Sequence, residues 1–186
     1  MKLFRALQRN LRQKIVTYVI MPVSAEITDR ISQKKSQYGR YVDTKQWNKF
    51  DKIVLPNAEF GFFDSDGSVL KAGKTALIFS SSKGFTGFFS KFLANAQTLH
   101  MFGPGELEQV TAEEVRAIWG MEDQIILKGT AGLVEIRGGG YYHETWKMKD
   151  GDWFLKSLRL ERTYQKISFL ARLLAFLGSF FGLFFT

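Results

Sequence analysis

Residues 133–149 read LVEIRGGGYYHETWKMK. Apart from the glycines this is a strand pattern, rich in β-branched and aromatic residues. Glycine weakens a strand interior, so Gly138, Gly139 and Gly140 mark a bulge, a sharp bend or space left for a ligand. They do not form a phosphate loop, because no helix N-terminus follows them. Working outward, the turn KDGD (149–152) leads into a last strand, WFLKSLRLERTYQKI. Two further long strand candidates precede the stretch, AQTLHMFGPGELEQV (96–110) and AEEVRAIWGMEDQIIL (112–127). Long neighbouring strands joined by short turns predict an antiparallel sheet.

Upstream the period changes to that of helices. In SAEITDRISQKKSQYGRYVD, Ser24 is an N-cap with Glu26 in the first turn, and Ile27, Ile31, Tyr38 and Val42 keep one face apolar. Asp43-Thr44 interrupts it, and TKQWNKF reads as a second short helix with Trp47 and Phe50 facing inward. IVLPNAEFGFF is extended, DSDG (64–67) is a hairpin turn, and SSKGFTGFFSKFLA (81–94) is a serine-capped helix with a phenylalanine face. Helices before a run of strands give an α+β class. A long curved antiparallel sheet wrapped around the N-terminal helices makes a cone with an open mouth.

Charge and composition narrow the function. The net charge of +8 comes from the ends: residues 1–22 carry +5, residues 162–186 carry +3, and residues 23–161 are neutral. A nucleic-acid-binding domain spreads its basic patch over the folded surface, so nucleic acid is not expected as a partner. With no cysteine and two histidines, neither thiol chemistry nor a metal centre is expected.

Side-chain alternation sorts the chemical groups. Thr98, His100 and Phe102 share one strand face; Tyr141, His143 and Thr145 share another. If both histidines point into the cone, they meet in one cavity. His100 is then the general base and Asp43, at the helix break, holds its tautomer. Tyr41 or Tyr141 donates to a substrate carbonyl, and His143 protonates a departing hydroxyl. Tyr38, Trp47, Phe102 and Trp119 are aromatic candidates for the wall, and Arg159 either reaches an anionic substrate group or, the plainer reading, lies on the surface. Plainer readings stand beside these. Either histidine can be a structural or solvent-facing strand residue, Asp43 can cap the next helix, and Glu144 can be a cross-strand ion-pair partner.

Five motifs in order, YVDTKQWNKF (41–50), TLHM (98–101), AIWGMED (117–123), GGGYYHETW (138–146) and DWFLKSLRLER (152–162), resemble the SnoaL-like family of the nuclear transport factor 2-like superfamily. The likeness covers about residues 24–165 and looks closest to a fungal branch. It implies the α+β cone. Within the superfamily the pattern is similar to scytalone and bile-acid dehydratases, which eliminate water beside a carbonyl without a cofactor. By that resemblance Asp43 and His100 match the catalytic aspartate and histidine, and His143 matches a second histidine. Val42 stands where the scytalone dehydratases have a tyrosine, so the phenol falls to Tyr41 or Tyr38.

The expected division is a basic amphipathic extension (1–22), the cone domain (23–165) and a hydrophobic tail helix (166–186). Residues 1–20 read as a membrane-surface helix, a mitochondrial presequence or a helix packed on the domain. SFLARLLAFLGSFFGLFFT (168–186) either packs on the domain, pairs two copies of the chain or enters a membrane interface. The reading is a cytoplasmic, membrane-associating lyase or isomerase, needing no cofactor, for a hydrophobic polyketide- or steroid-like carbonyl compound. A non-catalytic binding or dimerisation module is the alternative.

Overall fold

The computed structural model describes residues 22–176. The expectations for the N-terminal extension and for residues 177–186 lie outside them.

Helix α1 (Ala25–Asp43) begins where the Ser24 hydroxyl accepts the Ile27 N–H, 3.3 Å. It ends in a turn in which Lys45 N–H donates to Val42 O and Gln46 N–H to Tyr41 O. That pairing is the Schellman stop, whose left-handed residue is usually glycine. Here the residue is Lys45, at φ 58°. The second short helix expected at TKQWNKF is present as a 3-10 helix (Trp47–Lys52). Six residues starting without a side-chain cap are too few to propagate an α-helix.

Strand β1 (Val54–Phe63) follows. The segment after the DSDG turn adds only β2 (Lys71–Ala72), β3 (Thr75–Ala76) and β4 (Ile78–Phe79). Helix α2 (Ser82–Phe92) is capped by Ser81, as its sequence indicates. Then come β5 (Ala96–Thr111), β6 (Glu114–Leu127), β7 (Glu135–Lys149), β8 (Asp152–Ile167) and α3 (Phe169–Phe176).

Six strands form one curved, open sheet in the order β4-β1-β8-β7-β6-β5. β5 to β8 are an antiparallel meander, but β1 lies parallel to β8. The sheet is therefore mixed. The α+β cone stands, with this correction to an all-antiparallel sheet. Alternation along single strands carries no information about the direction of a neighbour brought in by a crossover.

The concave face is covered by α1 and α2. Phe85 of α2 stacks on Phe60 of β1, 4.2 Å between ring centroids, and touches Phe50 and Tyr38. These rings close one end of the interior. The glycine run is a bulge: the β7–β8 register slips between Gly139 and Gly140. A Cβ on Gly140 would lie 2.1 Å from the Glu161 carbonyl oxygen. The glycines thus allow close approach of β8.

Ser168 hydrogen-bonds the backbone at Leu133 and Glu135, and Ala171 of α3 is fully buried. The first part of the tail therefore packs on the domain, with Phe169 left 82% exposed. No helix of the described residues is long and apolar enough to cross a membrane.

Candidate active site

Asp43 and His100 meet. The Schellman turn places Asp43 at the last turn of α1, against the start of β5. Its Oδ1 lies 2.7 Å from His100 Nδ1 and also accepts the Thr98 hydroxyl at 2.9 Å. Its Oδ2 accepts the His100 backbone N–H at 2.9 Å. Burial pushes the Asp43 carboxyl up, but hydrogen bonds from the His100 ring, the His100 backbone and Thr98, with the His100 charge, hold it below the usual range. A carboxylate only accepts, so the neutral imidazole carries its proton on Nδ1 and leaves a lone pair on Nε2. Nε2 has no hydrogen bond among the described residues. Lys45 completes the group, with Nζ donating to Thr98 Oγ1 at 3.0 Å. Burial, opposed by Asp43, pushes its ammonium down to about 8.

His100 lines an interior cavity of about 180 Å³ between the sheet, α1 and α2. Its apolar wall includes Phe62, Phe85, Phe89, Ile125 and Ile136. Its polar wall is His100, Tyr38, Tyr142, Asp123 and Arg162. Exposed Lys71 and Gln165 also line it and mark the side that faces solvent. Tyr38 and Tyr142 are buried, with ring centroids 6.2 Å apart. Burial first, with nearby carboxylates, pushes both phenols above their ordinary value, so both stay protonated donors.

Next to this lies a buried ion pair, Lys35 Nζ to Glu144 Oε1 at 2.5 Å. The indole N–H groups of Trp119 and Trp146 both donate to Glu144 Oε2, at 2.8 and 3.0 Å. The Lys35 ammonium sits 3.8 Å from the Tyr142 ring centroid and 4.2 Å from that of Phe102. This network fixes the ring of Tyr142 at the cavity wall.

Several sequence-predicted residues lie elsewhere. His143 does not share the cavity. It is 41% exposed on the convex side, 3.6 Å from Glu161. Tyr141 is also exposed, at 49%. The pairing of faces along 141–146 is as read, but Tyr142, Glu144 and Trp146 face inward. Two large rings gain more by burial than one tyrosine and a threonine do, and Lys35 neutralises the glutamate that comes with them. Arg159 is on the surface, 2.6 Å from Glu161 and stacked over Phe63. Trp119 is buried beside Glu144 and Trp47 stacks on Phe50. Tyr41 is buried near Phe50. None of these three lines the cavity. Phe102 lines a shallow outer groove with Asp43 and His100. Of the predicted set, Tyr38 and His100 reach the cavity, with Asp43 behind His100.

Sequence reasoning missed Asp123, Tyr142 and Arg162. A usable signal was present. Asp123 and Arg162 are charged residues at inward-facing positions of otherwise apolar strand faces.

The pattern that defines the SnoaL-like domain matches residues 23–159. The chain belongs to the SnoaL-like domain family. A protein described as "Probable cyclase FGR4" from Gibberella zeae is 44% identical to this SnoaL-like chain over 147 residues, covering 79% of the chain and 98% of that protein. Solved structures show the same nuclear transport factor 2-like fold. Kfla4162 from Kribbella flavida superposes with a TM-score of 0.65 at 13% identity, covering 77% of this chain and 95% of its own. Hexachlorocyclohexane dehydrochlorinase LinA-type3 from Novosphingobium barchaimii does so with a TM-score of 0.60 at 16% identity, covering 90% and 94%. At those identities the likeness is one of fold.

Proposed function

We propose that the cavity binds a small apolar carbonyl compound and that the chain is a cofactor-independent lyase or isomerase working by His/Asp acid–base catalysis. The observation that carries this is the 2.7 Å contact of Asp43 with His100 at the wall of an apolar cavity. Neutral His100 takes a proton from the carbon beside the carbonyl through Nε2. The electron pair of that C–H bond moves to the carbonyl oxygen, which receives a hydrogen bond from a Tyr38 or Tyr142 phenol. The Asp43 carboxylate stabilises the imidazolium. When the carbonyl re-forms, a β-hydroxyl leaves with the proton from His100 as water; in an isomerisation the same proton returns to another carbon. His100 takes both proton roles, since His143 lies outside. A cavity of about 180 Å³ is on the scale of one ring, because about 150 Å³ holds benzene. Fused polyketide or steroid skeletons require the open side to widen.

The test uses 3-hydroxycyclohexanone, a one-ring β-hydroxy ketone, in D2O. The wild type is expected to catalyse α-deuterium incorporation and formation of cyclohexenone. His100→Ala should lose about 10²–10⁴ of the rate, and His143→Ala should keep it. Equal rates in wild type and His100→Ala would leave a binding module in place of an enzyme.

A further inference from the structure

Helix α3 has two faces. Leu170, Ala171 and Leu174 pack against the core, and Ala171 is fully buried. Phe169, Arg172 and Leu173, at i, i+3 and i+4, are exposed together on the outer face. Phe169 is 82% exposed, more than any other large apolar side chain among the described residues, and Leu173 is 42% exposed. Exposed Leu133 joins them, because the Ser168 hydroxyl, one residue before Phe169, donates to its backbone oxygen at 2.7 Å. Ser168 also accepts the Glu135 backbone N–H at 3.1 Å, so the junction is pinned to the sheet. Single exposed apolar residues are ordinary. Three held together at one fixed junction mark a docking surface.

Charge indicates what covers it. After Glu161 the sequence holds no acid as far as residue 186. Arg162 is taken by Asp123, Nη2 to Oδ2 at 2.6 Å, but Lys166 and Arg172 are exposed. Glu135, beside Ser168, has its carboxylate paired with Arg137 at 3.4 Å. Residues 177–186, LGSFFGLFFT, add four phenylalanines, two leucines and no charge. Two copies joined symmetrically through this face would set Lys166 and Arg172 against their own counterparts. An anionic bilayer surface neutralises those cations and takes up the aromatic and aliphatic side chains.

We infer that the outer face of α3 is a docking surface for an anionic phospholipid bilayer. Phe169, Leu173 and Leu133 enter the interface, and Arg172 and Lys166 meet the headgroups. The helix lies in the interface and does not cross it, since no helix of the described residues is long and apolar enough to span. The surface begins beside the cavity. Ile136 and Ile167 are register partners that both line it, and Phe169 follows two residues on. Docking there brings the cavity wall close to the phase in which an apolar ligand concentrates. That consequence rests on the reading of the cavity as a ligand site; the docking does not.

The test needs no turnover. The full chain is floated with phosphatidylcholine vesicles made with and without phosphatidylserine. It should bind the anionic vesicles, and less as salt rises. Phe169→Ser/Leu173→Ser should weaken partitioning about tenfold or more, with an unchanged thermal midpoint because both side chains are exposed. Arg172→Gln should weaken it about fivefold. The emission that Phe169→Trp adds to the wild-type spectrum should shift to the blue on anionic vesicles. Absence of binding, equal binding to neutral vesicles or an unshifted emission would overturn the inference. So would binding that the double change leaves untouched, which would assign it to the basic residues 1–22. A mass that doubles with concentration in the wild type and not in the double variant, without vesicle binding, would give the face to a second copy of the chain.

Discussion

Asp43→Asn changes one atom and tests the core of the proposed chemistry. Asp43 accepts three hydrogen bonds, from the His100 ring, the His100 backbone and Thr98. Asparagine offers one oxygen and one NH2 group in their place. If the oxygen faces the ring, the NH2 group meets the His100 backbone N–H, donor against donor, at a cost of about 1–3 kcal/mol. If the oxygen faces the backbone, the NH2 group meets Nδ1. A peptide cannot change its protonation, whereas an imidazole can exchange tautomers. The second arrangement therefore wins, and His100 carries its proton on Nε2. The base is lost and the exchange rate should fall by about 10²–10⁴. Stability should fall by about 1.5–3 kcal/mol for the lost charge-assisted hydrogen bond. Long-range proton–nitrogen NMR reads the tautomer directly. With two histidines in the chain, exposed His143 supplies the reference signal. An Asn variant that keeps the Nδ1–H tautomer would refute the geometric argument. A switched tautomer with an unchanged rate would refute the role of His100 as base.

Lys35→Met should cost about 3–5 kcal/mol, because it leaves the Glu144 carboxylate buried without its counter-ion. Adding Glu144→Gln, which still accepts from both indoles, should recover more than half, as read by urea denaturation; additive losses would sink the account of the pair. His143→Ala should move stability by less than about 0.5 kcal/mol, since its contact with Glu161 is exposed. A loss above 2 kcal/mol in thermal unfolding would contradict the placement. Lys45 should titrate near 8 by NMR. Between about 8 and the ordinary lysine value the unfolded chain binds more protons than the folded one, so stability should rise with pH across that window. The rise should shrink in Lys45→Met, burial of Lys34 and Lys35 supplying the remainder; an unchanged rise there would refute the contribution of Lys45.

Local signals were enough for much of this chain. The serine caps of α1 and α2, the periodicity of α1 and the four long strands follow from side-chain chemistry within a few residues. So does the stop at Asp43-Thr44, which places the Asp43 carboxylate at a helix end. The ordered motifs pointed to the cone, and His100 and Asp43 were legible as a pair. Parity also grouped Tyr142 with Glu144 and Trp146 without choosing which group lies inside. That choice depends on Lys35, 109 residues away from Glu144, supplying the charge that makes burial of the carboxylate tolerable. The parallel pairing of β1 with β8 and the Asp123–Arg162 ion pair are likewise contacts between distant segments. Sequence by itself determined the elements and one Asp–His pair, because periodicity and capping are local forces. Tertiary structure alone decided that the second histidine stands outside and that the buried Asp123–Arg162 ion pair lies in the cavity wall. Which face of a strand is buried, and which charges neutralise one another, is settled only by what packs against them.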